Sequence, residues 1–119
     1  MNHIELLGVK IAILDKAEIQ STLADFLRTD DLKQIATINP EYLVRAHEDS
    51  AFKKVLNHVS LALPDGAGII YLARLQGKYV SLQHRFTGVW LTQYLLQLAE
   101  KESKTVAIIL AHDSLTSVE

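Results

Sequence analysis

A chain of 119 residues with 49% hydrophobic and 22% charged side chains is long enough for one globular domain and too apolar to be disordered. Its net charge of -2, with basic residues scattered among acidic ones, offers no positive surface to nucleic acid. The absence of cysteine excludes disulfides, thiolate catalysis and sulfur-ligated metals, and it favours a reducing compartment, so we expect a cytoplasmic protein.

The first elements are predicted to be a strand or short hairpin and then a helix. Residues 6–14 read as the strand or hairpin, and Asp15 and Glu18 have the spacing of a capping box that starts a helix. Apolar residues recur at helical spacing over about four turns that follow. Asp30 and Asp31 are expected to end this helix.

Two buried strands are predicted next, each followed by polar residues and a helix. Residues 33–38 form the first strand, and Asn39 and Pro40 suit the cap and first turn of a helix to about residue 47. Ser50 is predicted to cap a second, short helix that leads to the strand at 59–63. The inward residues of that helix are predicted to be Ala51, Val55 and Leu56.

The second half predicts two more helices and a last strand. Residues 67–75 are apolar nearly all round, as in a fully buried helix, and Gly77 suits its end. A connector over 78–87 precedes a helix, and residues 105–110 read as a buried strand. The apolar stripe of the helix is Leu91, Leu95, Leu98 and Ala99.

This alternation predicts one α/β domain over residues 1–119, with an open, mostly parallel Rossmann-like sheet and helices on both faces. The longest apolar run, 106–111, is far shorter than the roughly 20 residues of a membrane helix. Thr116 and Glu119 have the spacing of a helix start without a helix behind it, so the fold is expected to be incomplete at the C-terminus. Uncovered apolar surface should then cause self-association.

The loop after the second predicted parallel strand holds a candidate catalytic acid or base, Asp65. It lies in the run Pro64-Asp65-Gly66, and ligands of open α/β sheets bind at the carboxyl ends of the strands. A carboxylate there could take a proton from a substrate hydroxyl. The alternative is a purely structural residue, because Asp often bonds its own backbone in such a turn.

Two further runs hold candidate binding residues. Thr37 and Asn39 alternate with a core-facing residue and so point to one side, although each also suits a structural role as strand former or helix cap. Glu41, in the first helical turn, is a weaker candidate ligand. Arg85 could bind phosphate in bidentate fashion near the start of the helix that follows Thr87 and Gly88, or be an ordinary surface side chain.

The remaining patterns give little sign of metal or dinucleotide binding. The five histidines lack the spacing of metal ligands, so no metal or other cofactor is expected. Gly66 and Gly68 form only Gly-x-Gly, short of a dinucleotide fingerprint or a P-loop.

In order along the chain, these runs resemble the WecG/TagA/CpsF family of bacterial glycosyltransferases. That family carries a Thr-x-Asn-x-Glu/Gln run, a Pro-Asp-Gly loop and an Arg-Val-Thr-Gly run. The corresponding residues here are Thr37-Ile38-Asn39-Pro40-Glu41, Pro64-Asp65-Gly66 and Arg85-Phe86-Thr87-Gly88. Two departures stand out. Trp90 occupies a position where the family has Asp, and Leu110-Ala111-His112 replaces a Leu-Gly-Gly element.

The resemblance implies transfer of an N-acetylhexosamine such as N-acetylmannosamine from a UDP-sugar to a polyprenyl-diphosphate-linked sugar, without a metal, in cell-surface polysaccharide or teichoic acid synthesis. It implies Asp65 as the base and Thr37, Asn39, Gly66, Arg85 and Thr87 as substrate-binding residues. The resemblance also implies that the enzyme acts at the inner face of the cell membrane. Family members contact the membrane through a C-terminal segment that this sequence does not match. The alternative is a truncated, catalytically inactive member that serves as a binding or interaction scaffold.

Overall fold

The chain begins with an antiparallel hairpin, formed by β1 (Asn2–Leu6) and β2 (Val9–Ile13) in the computed structural model, which describes residues 1–111. The hairpin starts four residues earlier than predicted. Leu7 and Gly8 have positive φ angles of 50° and 79°, the backbone that a two-residue hairpin turn needs. Asn57 holds the turn, because its amide nitrogen donates to the Gly8 carbonyl at 2.8 Å.

Two of the predicted helix starts have the local chemistry that the sequence indicates, and the last helix has a cap that was not predicted. The capping box of Asp15 and Glu18 starts α1 (Lys16–Arg28), and the Asn39 side chain accepts from the Tyr42 N–H to start α2 (Pro40–Glu48). Thr87 accepts from the Trp90 N–H at 3.2 Å and starts α5 (Gly88–Lys101). Each cap satisfies a backbone donor that has no partner within its helix.

The predicted cap of α3 (Ser50–His58) is wrong by one residue. The side chain of Asp49 accepts from the backbone N–H groups of Ala51 and Phe52, and Ser50 is already the first helical residue. The inward face also differs, since Leu56 is buried while Val55 is 51% exposed and Ala51 is exposed. The difference reflects which side of α3 faces its neighbours, α2 and β2.

A parallel pair of short strands lies at the centre. β3 (Ile35–Ile38) pairs with β4 (Leu61–Pro64), in a register that sets Ile38 opposite Pro64. All four residues of β4 are buried. α4 (Ala67–Leu75) follows β4, and a 3-10 turn (Leu82–His84) precedes α5.

Two predictions of burial are wrong. Residues 105–110 are not a strand in the structure: the segment is exposed, with Ile109 at 95%, and it pairs with no strand in the described part of the chain. α4 is not buried all round, because Tyr71 and Leu75 are 52% and 85% exposed. Aliphatic character alone therefore does not decide where these side chains lie.

The described residues form a mixed α/β fold with five α-helices and two two-stranded sheets, one antiparallel and one parallel. β2 packs beside β4, so the hairpin and the parallel pair are neighbours. Buried side chains form one apolar cluster around Leu6, Ile38 and Ile70 and another around Leu63, Phe86 and Leu91. The predicted helix start at Thr116 and Glu119 lies outside the described residues.

Candidate functional site

The candidate site lies at the carboxyl ends of β3 and β4. Because Ile38 and Pro64 are register partners, the residues that follow them, Asn39 and Asp65, leave the sheet at the same edge. The Asp65 N–H donates to the Ile38 carbonyl at 2.8 Å, which fixes the start of the Asp65 loop against the end of β3. Parallel pairing therefore brings together two candidates that lie 26 positions apart.

The loop before α5 reaches the same edge. The Phe86 N–H donates to the Pro64 carbonyl at 2.8 Å, so the run from Arg85 to Gly88 is tied to the end of β4. A Cβ atom added to Gly88 would lie 3.6 Å from the Thr37 hydroxyl oxygen, which places the first residue of α5 next to Thr37. All three recognised sequence runs thus meet at one sheet edge.

Three helices begin at this edge, at Pro40, Ala67 and Gly88. The first two approach closely, since a Cβ atom on Gly68 would lie only 2.9 Å from Cγ of Pro40. Free backbone N–H groups and the positive ends of helix dipoles favour negative charge at such a place. The edge is therefore suited electrostatically to an anionic ligand.

Asp65 is half-buried at this edge, and in the described part of the chain its carboxylate is in no ion pair. Gly66 follows it with φ 86° and ψ 164°, a backbone region that is essentially restricted to glycine. Gly66 thus has a structural reason to be glycine, and its backbone turns the chain directly from Asp65 into α4. A half-buried carboxylate without a cationic partner can accept a proton from a bound hydroxyl.

Thr37 and Asn39 are half-buried on the neighbouring strand end. The Asn39 side-chain oxygen is occupied by the Tyr42 N–H at 3.0 Å, so the cap that the sequence allowed as an alternative is present. That hydrogen bond leaves the amide NH2 group as a donor for a ligand. Glu41 is exposed in the first turn of α2. A carboxylate is favourable at the positive end of a helix even when it binds no ligand.

Arg85 and Thr87 line a groove of about 190 Å³ beside this edge, together with Lys16, Phe86 and Trp90. We call this the cationic groove, because two of its five lining side chains are positively charged and none is acidic. Lys16 is the first residue of α1 and was not predicted as a site residue. Its position in the sequence could have indicated a site residue, because Lys16 follows the end of β2 closely, as Asn39 and Asp65 follow the ends of β3 and β4.

Trp90 forms a wall of the cationic groove and belongs to an aromatic stack. Its ring centroid lies 5.0 Å from that of Phe86 and 5.5 Å from that of Tyr94, and the indole and Tyr94 rings are nearly parallel at 4°. Since Thr87 already caps α5, the helix start does not depend on a carboxylate at position 90.

Within residues 1–111, no group of three or more His, Cys, Asp or Glu side chains is arranged to hold a metal ion. None of the helices in this range is both long and apolar enough to cross a membrane.

The model of the glycosyl transferase WecG/TagA/CpsF family matches residues 4–116, nearly the whole sequence. The chain therefore belongs to this family of glycosyltransferases. The resemblance carried by its three sequence runs is confirmed.

Two curated relatives carry the same name, N-acetylglucosaminyldiphosphoundecaprenol N-acetyl-beta-D-mannosaminyltransferase. The chain is 35% identical over 72 residues to the protein of Bacillus subtilis and 36% identical over 72 residues to that of Bacillus spizizenii. Each match covers 60% of this chain and 27% of the relative. The chain thus matches only about a quarter of the length of these relatives.

Proposed function

We propose that this chain supplies the base and donor-binding edge of a glycosyltransferase. The reaction is transfer of an N-acetylhexosamine, such as N-acetylmannosamine, from a UDP-sugar to a polyprenyl-diphosphate-linked N-acetylglucosamine, in teichoic acid or other cell-surface polysaccharide synthesis. Family membership and the names of the two Bacillus relatives support this choice of reaction and acceptor.

The observation that carries the proposal is the convergence of Asp65, Thr37 and the loop of Arg85 on one edge where three helices begin. In the proposed reaction the acceptor hydroxyl attacks the anomeric carbon of the donor while Asp65 accepts the hydroxyl proton. The bond between the sugar and UDP breaks, and UDP leaves with its electron pair. Arg85 and the helix starts offset the negative charge that grows on the diphosphate.

The other candidates hold the substrates in this proposal. Thr37 donates or accepts through its hydroxyl, and Asn39 donates through its free amide group, to sugar or acceptor hydroxyls. Gly66 lets the ligand approach the backbone without a side chain between them, because a Cβ atom there would meet nothing within 4 Å. Thr87 caps α5 and keeps the N–H groups of its first turn beside the diphosphate.

The test is the substitution Asp65→Asn in a complete enzyme that contains this sequence. We expect turnover of UDP-N-acetylmannosamine with a lipid-diphosphate N-acetylglucosamine acceptor to fall about 100-fold or more, the scale of general-base catalysis. UDP affinity and thermal stability should change little, because the amide keeps the shape of the carboxylate and no ion pair is lost.

The matched control is Asp30→Asn, which neutralises an exposed carboxylate in the turn after α1. Its turnover should stay within about twofold of the parent, as for other exposed substitutions away from a site. If Asp65→Asn turns over within about threefold of the parent, well short of general-base catalysis, the base lies elsewhere. A parent that binds UDP but transfers no sugar would identify the alternative, an inactive binding scaffold.

Three broader features complete the proposal. Residues 1–119 fold as one domain, and the parallel pair β3–β4 is the centre of an open, mostly parallel sheet in the complete enzyme. The chain associates with itself through apolar surface. The complete enzyme works at the inner face of the cell membrane, where a polyprenyl-linked acceptor is anchored.

A further inference from the structure

The cationic groove holds a second positive charge that the proposed function does not use. Lys16 begins α1, far from Arg85 in sequence, yet both side chains line the same groove of about 190 Å³. Neither is in an ion pair within the described residues, whose ion pairs are Arg28 with Asp25 and Lys33 with Asp31. Two like charges on one small groove repel each other, and an anion bound between them offsets that repulsion.

The acidic residues next to Lys16 are already engaged elsewhere. The Asp15 carboxylate accepts the Glu18 N–H, and the Glu18 carboxylate accepts the Asp15 N–H, each at 2.8 Å. Both therefore face the backbone at the start of α1. Neither carboxylate is among the residues that line the groove.

The groove is large enough for one chemical group of a ligand but too small for a whole ligand. Pockets that enclose a complete small molecule usually measure about 300–1,000 Å³, so about 190 Å³ suits only part of one. Two cations that line one small groove match a group with two adjacent negative charges, and a diphosphate is such a group. The start of α5 at Thr87 adds backbone donors on the same side.

We propose that Lys16 and Arg85 together bind one diphosphate group in the cationic groove, so that Lys16 is a substrate-binding residue. The inference rests on the proposed function in assigning Arg85 to a diphosphate. Phe86 connects the groove to the base, since its N–H donates to Pro64, the residue before Asp65. Two substrates of the proposed reaction contain a diphosphate, the nucleotide donor and the polyprenyl acceptor.

Trp90 provides a direct readout, because it is the only tryptophan in the sequence and it lines this groove. Its fluorescence is followed while inorganic pyrophosphate is added to the parent and to Lys16→Gln, Arg85→Gln and Lys54→Gln. Lys54 is an exposed lysine of α3 outside the groove and is the matched control. We expect the dissociation constant to rise about tenfold in Lys16→Gln and in Arg85→Gln, the scale of one lost hydrogen bond between charged groups.

Lys54→Gln should keep the affinity of the parent. Equal affinities for Lys16→Gln and Lys54→Gln, or no binding of pyrophosphate to the parent, would overturn the inference. Either result leaves the Asp65→Asn test of the proposed function unaffected. Conversely, full turnover by Asp65→Asn would show that Asp65 is not the base. The weaker pyrophosphate binding expected for Lys16→Gln would not be affected by that result.

The source of the diphosphate is resolved by three further titrations of the same four proteins. Tighter binding of UDP than of geranyl diphosphate, with the loss confined to Lys16→Gln and Arg85→Gln, assigns the groove to the donor. The reverse order assigns it to the acceptor. UMP serves as the single-phosphate probe, and a UMP affinity equal to that of UDP and insensitive to Lys16→Gln would contradict a two-cation diphosphate site.

Discussion

Gly66 determines how the candidate base is presented, because its backbone turns the chain between Asp65 and α4. With φ 86° and ψ 164° it occupies a region that costs a residue with a side chain roughly 1–3 kcal/mol. We therefore expect Gly66→Ala to lower the free energy of unfolding by about this amount, although a Cβ atom there would meet nothing within 4 Å. Denaturant unfolding of the two proteins measures the difference.

Gly88→Ala is the matched control for that substitution. Gly88 also borders the site, but it is a helical residue whose added Cβ atom would lie 3.6 Å from the Thr37 hydroxyl oxygen, an ordinary contact. Its free energy of unfolding should stay within about 0.5 kcal/mol of the parent. Equal stability of Gly66→Ala and the parent would show that the loop relaxes to another backbone conformation.

Trp90 occupies its position without contributing a side-chain cap to α5. The family position is an Asp, yet the helix start here is capped by Thr87, and the indole instead fills space between Phe86 and Tyr94. An indole donates one hydrogen bond and accepts none, so any ligand hydroxyl at this position has lost an acceptor. The indole therefore gives the groove an apolar wall with one N–H donor at a position where the family has a carboxylate.

At the scale of elements, the start of α3 is capped by Asp49 and not by the neighbouring residue, Ser50. The Asp49 carboxylate accepts two backbone N–H groups, from Ala51 at 3.0 Å and Phe52 at 3.1 Å. We expect Asp49→Ala to destabilise the protein by about 1 kcal/mol, the usual cost of a lost helix cap. Thermal or denaturant unfolding measures it.

Ser50→Ala is the control, because Ser50 is the cap that the sequence suggested and the structure assigns it to the first helical position. Alanine is a good helix former, so this substitution should be neutral or slightly stabilising. A larger loss for Ser50→Ala than for Asp49→Ala would mean that the helix starts one residue later than the structure has it.

The sequence predicts elements best where their causes are local. Two helix starts can be predicted from at most four consecutive residues, and both are present in the structure. One is the capping box of Asp15 and Glu18, and the other is the pair Asn39 and Pro40. The burial of Val55 and the strand at 105–110 depend on which distant segment lies opposite, and both predictions are wrong. Periodicity and β-propensity favour one secondary structure and one buried face. The segments that pack against an element decide whether that structure forms and which side chains are buried.

The same distinction applies to the site. The nearness of Asn39 and Asp65 was predictable, because parallel strands align their carboxyl ends and both residues directly follow a strand. The nearness of Lys16 to Arg85 was not, since it depends on how α1 and the loop before α5 pack together. The catalytic and binding roles of these residues stay predictions until the substitutions are made.

At the scale of the whole molecule, several exposed apolar side chains lie together in one region of residues 1–111. Val106, Ile108, Ile109 and Leu110 are between 45% and 95% exposed, and Leu96 of α5 is 42% exposed. The segment borders an apolar groove of about 520 Å³ that also includes Leu27 and Leu95. Contiguous apolar surface of this kind marks an interaction site or a risk of aggregation in soluble proteins.

We expect this surface to join two copies of the chain, so that light scattering reports a dimer or larger species whose fraction rises with concentration. Ile109→Lys should shift the mass toward the monomer, because a charged side chain would have to be buried in the interface without a partner. Leu32→Lys is the control, since Leu32 is 94% exposed but lies in the turn before β3, outside the apolar groove. A parent that stays monomeric at every concentration, or equal masses for the two lysine variants, would assign the apolar surface another role.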